Sequence, residues 1–214
     1  MVNILLMVTG SVAAIKIPLL IDQFKIKFAK KEESGAVIDR GDDNNLKRDD
    51  DQKWTVNIRV VATESSLHFF SLEEVAAKLP SGSIFRDADE WAAWKRMGDP
   101  VLHIELRNWA DVAVIAPLDA NTMAKLAHGQ CDNLLTCIVR AWDMAKPLFF
   151  APAMNVHMWQ HPHTNRAIAS LLDLGYIQLG PISKKLACGD VGMGAMSEAD
   201  QIAATVAQHI HDEQ

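Results

Sequence analysis

Three side chains in this sequence have types and positions suited to chemistry: His103, Asn155 and Cys188. An imidazole changes charge near neutral pH, so His103 is a natural general acid or base. A lone histidine among apolar neighbours is, however, more often a packed core residue. Asn155 follows directly on an apolar run. Cys188 lies in a glycine-rich segment near Lys184 and Lys185, whose positive charges favour a reactive thiolate.

Asn155 belongs to one of two similar loops in which an apolar run reaches Ala-Pro and then an asparagine. The first segment spans Val112–Thr122 and the second Leu148–Asn155. Such short apolar runs are typical of buried parallel strands. A proline has no N–H, so each proline is expected to end the ladder just past its strand. Ligands of open α/β sheets bind at the carboxyl ends of strands, and the two loops therefore predict a single pocket.

Hydroxyl-bearing turns follow the first two predicted strands, at Gly10-Ser11 and at Thr63–Ser66. A helix N-terminus that carries hydroxyl groups suits an anion. The turns therefore favour a phosphate site, with ordinary strand-to-helix turns as the alternative. A single glycine does not make the dinucleotide fingerprint, and no acidic residue stands where a ribose needs one, which favours a mononucleotide over NAD.

Three histidines, His157, His161 and His163, lie close together and raise the question of a metal site. Pro162 interrupts any helix between them, and no carboxylate or thiol accompanies them. We therefore predict no metal in this segment.

Strands alternate with helices along the chain, which predicts a parallel sheet covered by helices on both faces. Strands are expected at Val2–Val8, Trp54–Ala62, Ser83–Phe85, Val112–Ala116 and Leu148–Ala151, with the last strand at Tyr176–Leu179. Helices are expected at Val12–Ala29, from Thr63 and from Ser71, and at Ala120–His128, Leu134–Asp143, Thr164–Leu174 and Glu198–His211. A turn or short helix is expected over Asp87–Met97, and a glycine-rich loop over Leu186–Met196.

The length of 214 residues predicts one domain, residues 1–214. Within it, residues 30–53 differ sharply from the rest of the chain: Glu32–Gly35 and Asp39–Asp51 have almost no apolar side chains, and such a stretch cannot bury enough surface to offset its ordering entropy. We expect a flexible surface insertion there.

Composition excludes several classes of function. Hydrophobic residues make up 49% of the chain, as in globular proteins, and the net charge of −6 argues against nucleic acid as a partner. No apolar run is long enough to span a bilayer, and the apolar N-terminus lacks the basic region of a signal peptide. Three cysteines without metal spacing, Cys131, Cys137 and Cys188, indicate free thiols and a cytoplasmic protein.

Taken together and in order, several segments resemble the homo-oligomeric flavin-containing cysteine decarboxylases, in the branch that acts in coenzyme A biosynthesis. The resemblance covers nearly the whole chain except residues 30–53. The segments that carry it are Gly10–Ala14, His103–Arg107, Ala116–Thr122, Cys131–Thr136, Pro152–Asn155, Ala187–Asp190 and Gly194–Met196. The resemblance implies a three-layer α/β/α fold with a Rossmann-like (flavodoxin-like) parallel sheet of about six strands.

The resemblance also implies an activity, the FMN-dependent conversion of 4′-phosphopantothenoylcysteine to 4′-phosphopantetheine and carbon dioxide. A carboxylate next to a thiol-bearing side chain has no electron sink for direct decarboxylation. Flavin supplies one by oxidising the thiol to a thioaldehyde. Carbon dioxide then leaves to give an enethiolate, which the reduced flavin converts to product, so that no external redox partner is consumed.

By the same resemblance, His103 acts in oxidative decarboxylation and Cys188 protonates the enethiolate. Asn155 binds the substrate carboxylate, while Lys185, Leu186 and Ala187 belong to a substrate clamp. The residues expected to line the flavin are Gly10, Ser11, Val12, Thr63, Glu64, Ser65, Ala120, Asn121, Thr122, Met123 and Met154.

Members of the family are typically homotrimers with active sites at subunit interfaces, so the expected partners are the small-molecule substrate and further copies of this chain. Two alternatives stay open on the sequence. One is a non-catalytic phosphatase regulatory subunit of the same fold. The other is a peptidyl-cysteine decarboxylase, which performs only the oxidative half; retention of Cys188 argues for the reductive half as well.

Overall fold

Six parallel strands form the main sheet of the computed structural model, which describes residues 1–29, 55–185 and 189–213. They are β1 (Val2–Val8), β2 (Val56–Ala62), β3 (Ile84–Phe85), β4 (Val112–Leu118), β5 (Leu148–Pro152) and β6 (Ile177–Gln178). Their order across the sheet is β3-β2-β1-β4-β5-β6. The order reverses between β1 and β4, as in Rossmann-like folds. The predicted fold class is confirmed.

Helices cover both faces of the sheet. They are α1 (Ile17–Phe28), α2 (Leu72–Ala76), α3 (Asp87–Ala93), α4 (Leu102–Trp109), α5 (Ala120–Ala127), α6 (Leu134–Arg140), α7 (Val156–Gln160), α8 (Pro162–Asp173) and α9 (Ala199–Asp212). Short 3₁₀ helices follow β1 at Val12–Lys16 and β2 at Glu64–His68. Within the part of the chain that the structure describes, no helix is both long and apolar enough to cross a bilayer.

The alternation of side chains along the strands creates two separate cores. One face of β1 packs against α1, α2 and α9, and Phe149 of β5 lies on that side. The other face packs against α4, α5, α6 and α8, together with Phe150. Both phenylalanines are fully buried, and burial of each stabilises the fold by about 1.5–3 kcal/mol. The sheet is apolar on both sides because helices cover both sides.

The two Ala-Pro prolines lie inside their strands, and the prediction that they stand just past the ladder is wrong. Pro117 lies within β4, and Pro152, the last residue of β5, pairs with Leu118. The β4–β5 register shifts between Ile115 and Leu118, so the missing N–H of Pro117 falls at an irregularity where no ladder bond is needed.

The predicted glycine-rich loop is partly wrong, because its second half is a strand. β7 (Ile182–Lys185) and β8 (Val191–Ala195) form an antiparallel hairpin separate from the main sheet. β6 is therefore not the last strand. Gly192 and Gly194 within β8 obscured the alternation by which a strand is predicted from sequence.

Helix boundaries account for the other differences. The first predicted helix is divided into a 3₁₀ turn and α1, and the helix predicted from Thr63 is a 3₁₀ turn as well. α4 and α7 were not predicted. The expected insertion at residues 30–53 and Trp54 lie outside the described residues.

The carboxyl ends of β1, β2 and β4 are packed tightly against one another. A Cβ atom on Gly10 would lie 2.4 Å from Ser65 Oγ and 2.7 Å from Ser65 Cβ, with Asp119 Oδ2 at 3.4 Å. Thr63 Oγ1 donates to the carbonyl of Val8 at 3.2 Å. Glycine is therefore needed at position 10 for the close approach of three loops.

We expect Gly10→Ala to destabilise the protein by about 1–3 kcal/mol, the usual cost of overpacking. Ser65→Gly removes the two atoms that the new methyl group meets, so the double variant should recover most of the loss. Urea unfolding of the cofactor-free protein measures both effects, with Ser65→Gly alone as the control. The packing would be contradicted if Gly10→Ala lowered the free energy of unfolding by the same amount in the wild type and in the Ser65→Gly variant.

Candidate active site

A cavity of about 360 Å³ opens where the turn after β1 meets the loop after β5 and the β7–β8 hairpin. Its lining comprises Ser11, Val12, Ala13, Ile15 and Lys16, then Ala153, Met154 and Asn155, and finally Lys184, Lys185, Gly194, Ala195 and Met196. Strand order reverses beside β1, so the cavity lies where open α/β sheets bind ligands.

Asn155 is held at this cavity by its role as the cap of α7. Its Oδ1 accepts the backbone N–H of His157 at 2.8 Å, as N-cap residues do. That bond fixes which end of the amide is the donor. Nδ2 donates to Asp190 Oδ2 at 2.7 Å. The Asn155 amide is therefore oriented to bind a carboxylate.

The hairpin is held against the loop after β5 by backbone contacts. Met154 N donates to the carbonyl of Gly194 at 2.9 Å. Gly194 has a φ of 138°, and a Cβ there would lie 2.5 Å from Met154 O. Both its conformation and its close approach require glycine. The contact fixes the distance between β8 and Asn155.

Positive charge borders the cavity on one side. Lys16 Nζ and Lys184 Nζ donate to the two carboxylate oxygens of Glu198, at 2.6 and 2.9 Å. The hydrogen bonds from Lys16 and then Lys184 lower the pKa of Glu198. Lys185 has no ion-pair partner among the described residues. This edge thus carries three ammonium groups, Lys16, Lys184 and Lys185, and one carboxylate that binds two of them, an arrangement that suits an anionic ligand.

The residues predicted to line a flavin fall into two groups. Ser11, Val12 and Met154 line the cavity. Beside it, the residues that follow β1 and β2 lie close together; they are Gly10, Thr63, Glu64 and Ser65, of which Glu64 is exposed. Thr63 Oγ1 and Ser65 Oγ are 3.2 Å apart. Ala120, Asn121, Thr122 and Met123 form the start of α5. Of these, Ala120 and Met123 line a second cavity, with the three clustered histidines. Neither of these two cavities is lined by residues of both Ala-Pro loops, although Ala153 N of one loop donates to Leu118 O of the other at 3.0 Å. That the two loops form a single pocket stays a prediction.

The donor set suits FMN. Ser11, Thr63 and Ser65 supply hydroxyl groups at the carboxyl ends of two adjacent strands, as a ribityl phosphate needs. The apolar side chains of Val12 and Met154 provide a surface for a flat ring system. Among the described residues, no group of three His, Cys, Asp or Glu side chains is arranged to hold a metal ion.

His103 lies away from this cavity. It is on α4, which packs on the face of the sheet opposite to α1, and it lines neither cavity. Its Nδ1 is 2.5 Å from Glu90 Oε1 of α3. Within one copy of the chain, the structure therefore does not bring His103 and Asn155 together.

Of the predicted clamp and thiol residues, Leu186, Ala187 and Cys188 lie outside the described residues. The other two cysteines are described: Cys131 is exposed and Cys137 is half-buried. Burial, and then the nearby charge of Glu90, raise the pKa of the Cys137 thiol to about 11. Cys137 is therefore a neutral, unreactive thiol at physiological pH.

Sequence reasoning missed Glu90, Asp190, Glu198 and Lys16. Asp190 belongs to the segment Ala187–Asp190 that carries the resemblance, and its position two residues after Cys188, the predicted proton donor, could have identified it as a site residue. No local sequence pattern identifies Glu90, Glu198 or Lys16, because the partner of each side chain lies on another helix or loop.

Comparisons with known proteins show the family of the chain. A family model described as Flavoprotein matches residues 46–211. The phosphopantothenoylcysteine decarboxylase of Mus musculus is 47% identical over 204 residues, which are 95% of this chain and 85% of that protein.

Two solved structures extend the comparison. A cysteine-to-serine variant of PPC decarboxylase complexed with pantothenoylaminoethenethiol has a TM-score of 0.79 and 46% identity, with 100% of this chain and 99% of that chain covered. The FMN binding protein AtHal3 has a TM-score of 0.78 and 46% identity, with coverages of 99% and 97%. The chain therefore belongs to the flavoprotein family and is a relative of the phosphopantothenoylcysteine decarboxylases.

Proposed function

We propose that this protein is an FMN-dependent decarboxylase that converts 4′-phosphopantothenoylcysteine to 4′-phosphopantetheine and carbon dioxide, a step of coenzyme A biosynthesis in the cytoplasm. The observation that carries the proposal is the 47% identity to a phosphopantothenoylcysteine decarboxylase over 95% of the chain. The cavity at Asn155 gives that likeness a chemical basis, because it combines a carboxylate-binding amide with an anion-binding edge.

FMN is the cofactor, held by the hydroxyl groups of Ser11, Thr63 and Ser65 and by the apolar surface of Val12 and Met154. Gly10, Glu64 and the start of α5, Ala120–Met123, complete its environment. When bound, FMN supplies a two-electron acceptor that oxidises the substrate thiol and later returns the electrons. The FMN binding protein AtHal3, 46% identical to this chain, supports the choice of flavin.

Asn155 positions the substrate carboxylate through Nδ2. Support comes from the present partner of Nδ2, since the atom already donates to a carboxylate oxygen of Asp190 at 2.7 Å. A neutral amide holds a carboxylate by hydrogen bonds alone. An ammonium group would stabilise the ground-state charge and so oppose its loss as carbon dioxide.

The opposite, anionic end of the substrate is bound by the lysine edge. Lys185, with no ion-pair partner among the described residues, is the freest of the three cations. Lys16 and Lys184 are fixed by Glu198, so they lose little side-chain entropy when an anion binds. Leu186 and Ala187 extend the clamp next to Lys185.

Cys188 donates the proton that completes the reductive half. Two observations support this role. The enethiol complex of a relative was obtained with a cysteine-to-serine variant, and the raised pKa of Cys137 makes that thiol a poor proton donor. The chain therefore performs both halves of the reaction rather than stopping at the enethiol.

His103 acts in oxidative decarboxylation, at a site completed by a neighbouring copy. Its surroundings support an interface: the histidine patch (Trp91, Trp94, Met97, Val101 and Ile104) is exposed and apolar. A second exposed apolar surface, the cavity patch (Val12, Ile15, Leu19 and Met193), borders the Asn155 cavity. Exposed apolar patches of this kind mark interaction sites.

The two patches are different surfaces, so the contact between them is head-to-tail, and such contacts form a ring when the rotation from one copy to the next closes. We infer a homotrimer in which the histidine patch of one copy covers the cavity patch of the next. Each active site then combines His103 of one copy with Asn155 and Cys188 of its neighbour.

The activity is tested by mass spectrometry of the products formed from 4′-phosphopantothenoylcysteine. We expect a yellow protein that carries FMN and yields 4′-phosphopantetheine, because both halves of the reaction are present. A peptide with a C-terminal cysteine serves as the control substrate and should not react. Turnover of the peptide would indicate a peptidyl-cysteine decarboxylase, and a colourless protein without turnover would indicate a regulatory subunit.

Cys188→Ser should still release carbon dioxide but accumulate an oxidised, enethiol-type product, since serine is too weak an acid to protonate the enethiolate. Mass spectrometry distinguishes that product from phosphopantetheine by two hydrogen atoms. Cys131→Ser is the matched control and should give the normal product. A normal yield of phosphopantetheine from Cys188→Ser would refute the assignment.

Mixed assemblies test whether the site lies between copies. His103→Asn and Asn155→Asp should each lower turnover by about 10²-fold or more, with flavin retained in His103→Asn. When the two variants are co-expressed with different tags and purified through both, only mixed trimers remain, and about one third of the sites in such a head-to-tail ring regain both wild-type residues. No recovery in the mixed protein would place both residues within a single copy.

A further inference from the structure

Glu90 and His103 form a contact that joins two helices beside the histidine patch. Glu90 Oε1 of α3 lies 2.5 Å from His103 Nδ1 of α4. The Glu90 side chain is 12% exposed and that of His103 is 26% exposed. A carboxylate this well shielded, paired with one specific imidazole nitrogen, restricts both the rotation and the proton position of the ring.

We propose that Glu90 is a positioning residue for His103, one that fixes the imidazole with Nδ1–H toward the carboxylate and Nε2 toward the active site. The inference rests on the proposed function. A carboxylate only accepts hydrogen bonds, so Nδ1 must carry the hydrogen in the contact. In the neutral ring the lone pair is then on Nε2.

The orientation has a chemical consequence for the oxidative half. Oxidation of the substrate –CH₂–SH to –CH=S removes the S–H proton and a hydride from carbon. When bound, FMN would supply the acceptor for the hydride, and the proton needs a base. Nε2 of His103 accepts that proton, and the imidazolium that results is stabilised by the Glu90 carboxylate through Nδ1–H.

Among the described residues, His103 is the hydrogen-bond and ion-pair partner of the Glu90 carboxylate. Arg107, one turn further along α4, donates to Ala141 O and Asn108 Oδ1. The Cys137 thiol, near Glu90, is kept neutral by its raised pKa of about 11. The pairing of Glu90 with His103 is therefore specific.

The chain also contains a matched control pair. His209 Nε2 and Glu213 Oε1 are 3.2 Å apart at the end of α9, with the Glu213 side chain 57% exposed. Glu213→Gln removes a carboxylate from a histidine in the same way but far from the site. It should leave kcat, KM and flavin content unchanged.

The test compares Glu90→Gln, Glu90→Ala and Glu213→Gln in the FMN-loaded protein. We expect kcat to fall by about 10–100-fold in Glu90→Ala, the usual effect of losing an orienting partner, with KM within about 2-fold of wild type. Glu90→Gln preserves the side-chain volume, but its amide can donate to Nδ1 and so favour hydrogen on Nε2, the atom that must act as the base; we therefore expect kcat to fall in this variant as well. A wild-type kcat in both Glu90 variants, or a loss explained entirely by reduced flavin content or raised KM, would overturn the proposal.

A second measurement does not depend on turnover. Two-bond ¹H–¹⁵N spectra of protein labelled in histidine, with the His103 signals assigned by their absence in His103→Asn, report which nitrogen carries the hydrogen. We expect Nδ1–H in wild type and a change toward Nε2–H in Glu90→Gln, whose amide can donate to Nδ1. An Nε2–H form in wild type would overturn the inference even if the decarboxylase activity is established. An Nδ1–H form in a protein without that activity would show that only the proposed function has failed.

Discussion

The buried hydroxyl of Thr9 joins the two strands between which the sheet reverses its order. Thr9 is completely buried, and its Oγ1 donates to the carbonyl of Pro117 at 2.8 Å while it accepts the N–H of Asp119 at 2.7 Å. Loss of both partners inside the protein would cost several kcal/mol. The hydroxyl replaces the ladder bonds that a proline-containing strand end cannot make, and it fixes the position of Asp119, which caps α5.

The rest of the site depends on that alignment. With the ends of β1 and β4 held together, Gly10 can approach Ser65, and Ala153 N can donate to Leu118 O at 3.0 Å. The loop after β5 is therefore positioned by β4, and Met154 in turn holds the hairpin through Gly194. Rigid strand ends position loops that have little regular structure of their own, as binding sites on α/β sheets require.

The sequence predicts the main sheet well, because β1, β2, β4 and β5 are continuous apolar runs and their loops contain hydroxyl, amide and proline residues. It also identifies Asn155 and Lys185, which line the cavity. It does not predict the hairpin, since the glycines of β8 hide the strand pattern. Nor does it predict the contacts of His103, because the turn or short helix expected over Asp87–Met97 does not show which side chain Glu90 would meet, and the helix α4 that carries His103 was not predicted.

The ion pairs of Glu198 with Lys16 and Lys184 have a consequence for the order in which the parts of the cavity are synthesised. Lys16 and Glu198 are 182 residues apart in the chain, and Glu198 precedes α9, which buries Ile202 and Val206 against the core that contains α1. During synthesis, β1 and its neighbours emerge long before this carboxylate does. The first turn of the cavity is therefore synthesised early, whereas Lys184 and its counter-charge Glu198 follow within 14 residues of each other. The ligand-binding edge thus joins an early and a late part of the chain, so it cannot be complete before β7 and Glu198 have been added to the strands of the main sheet.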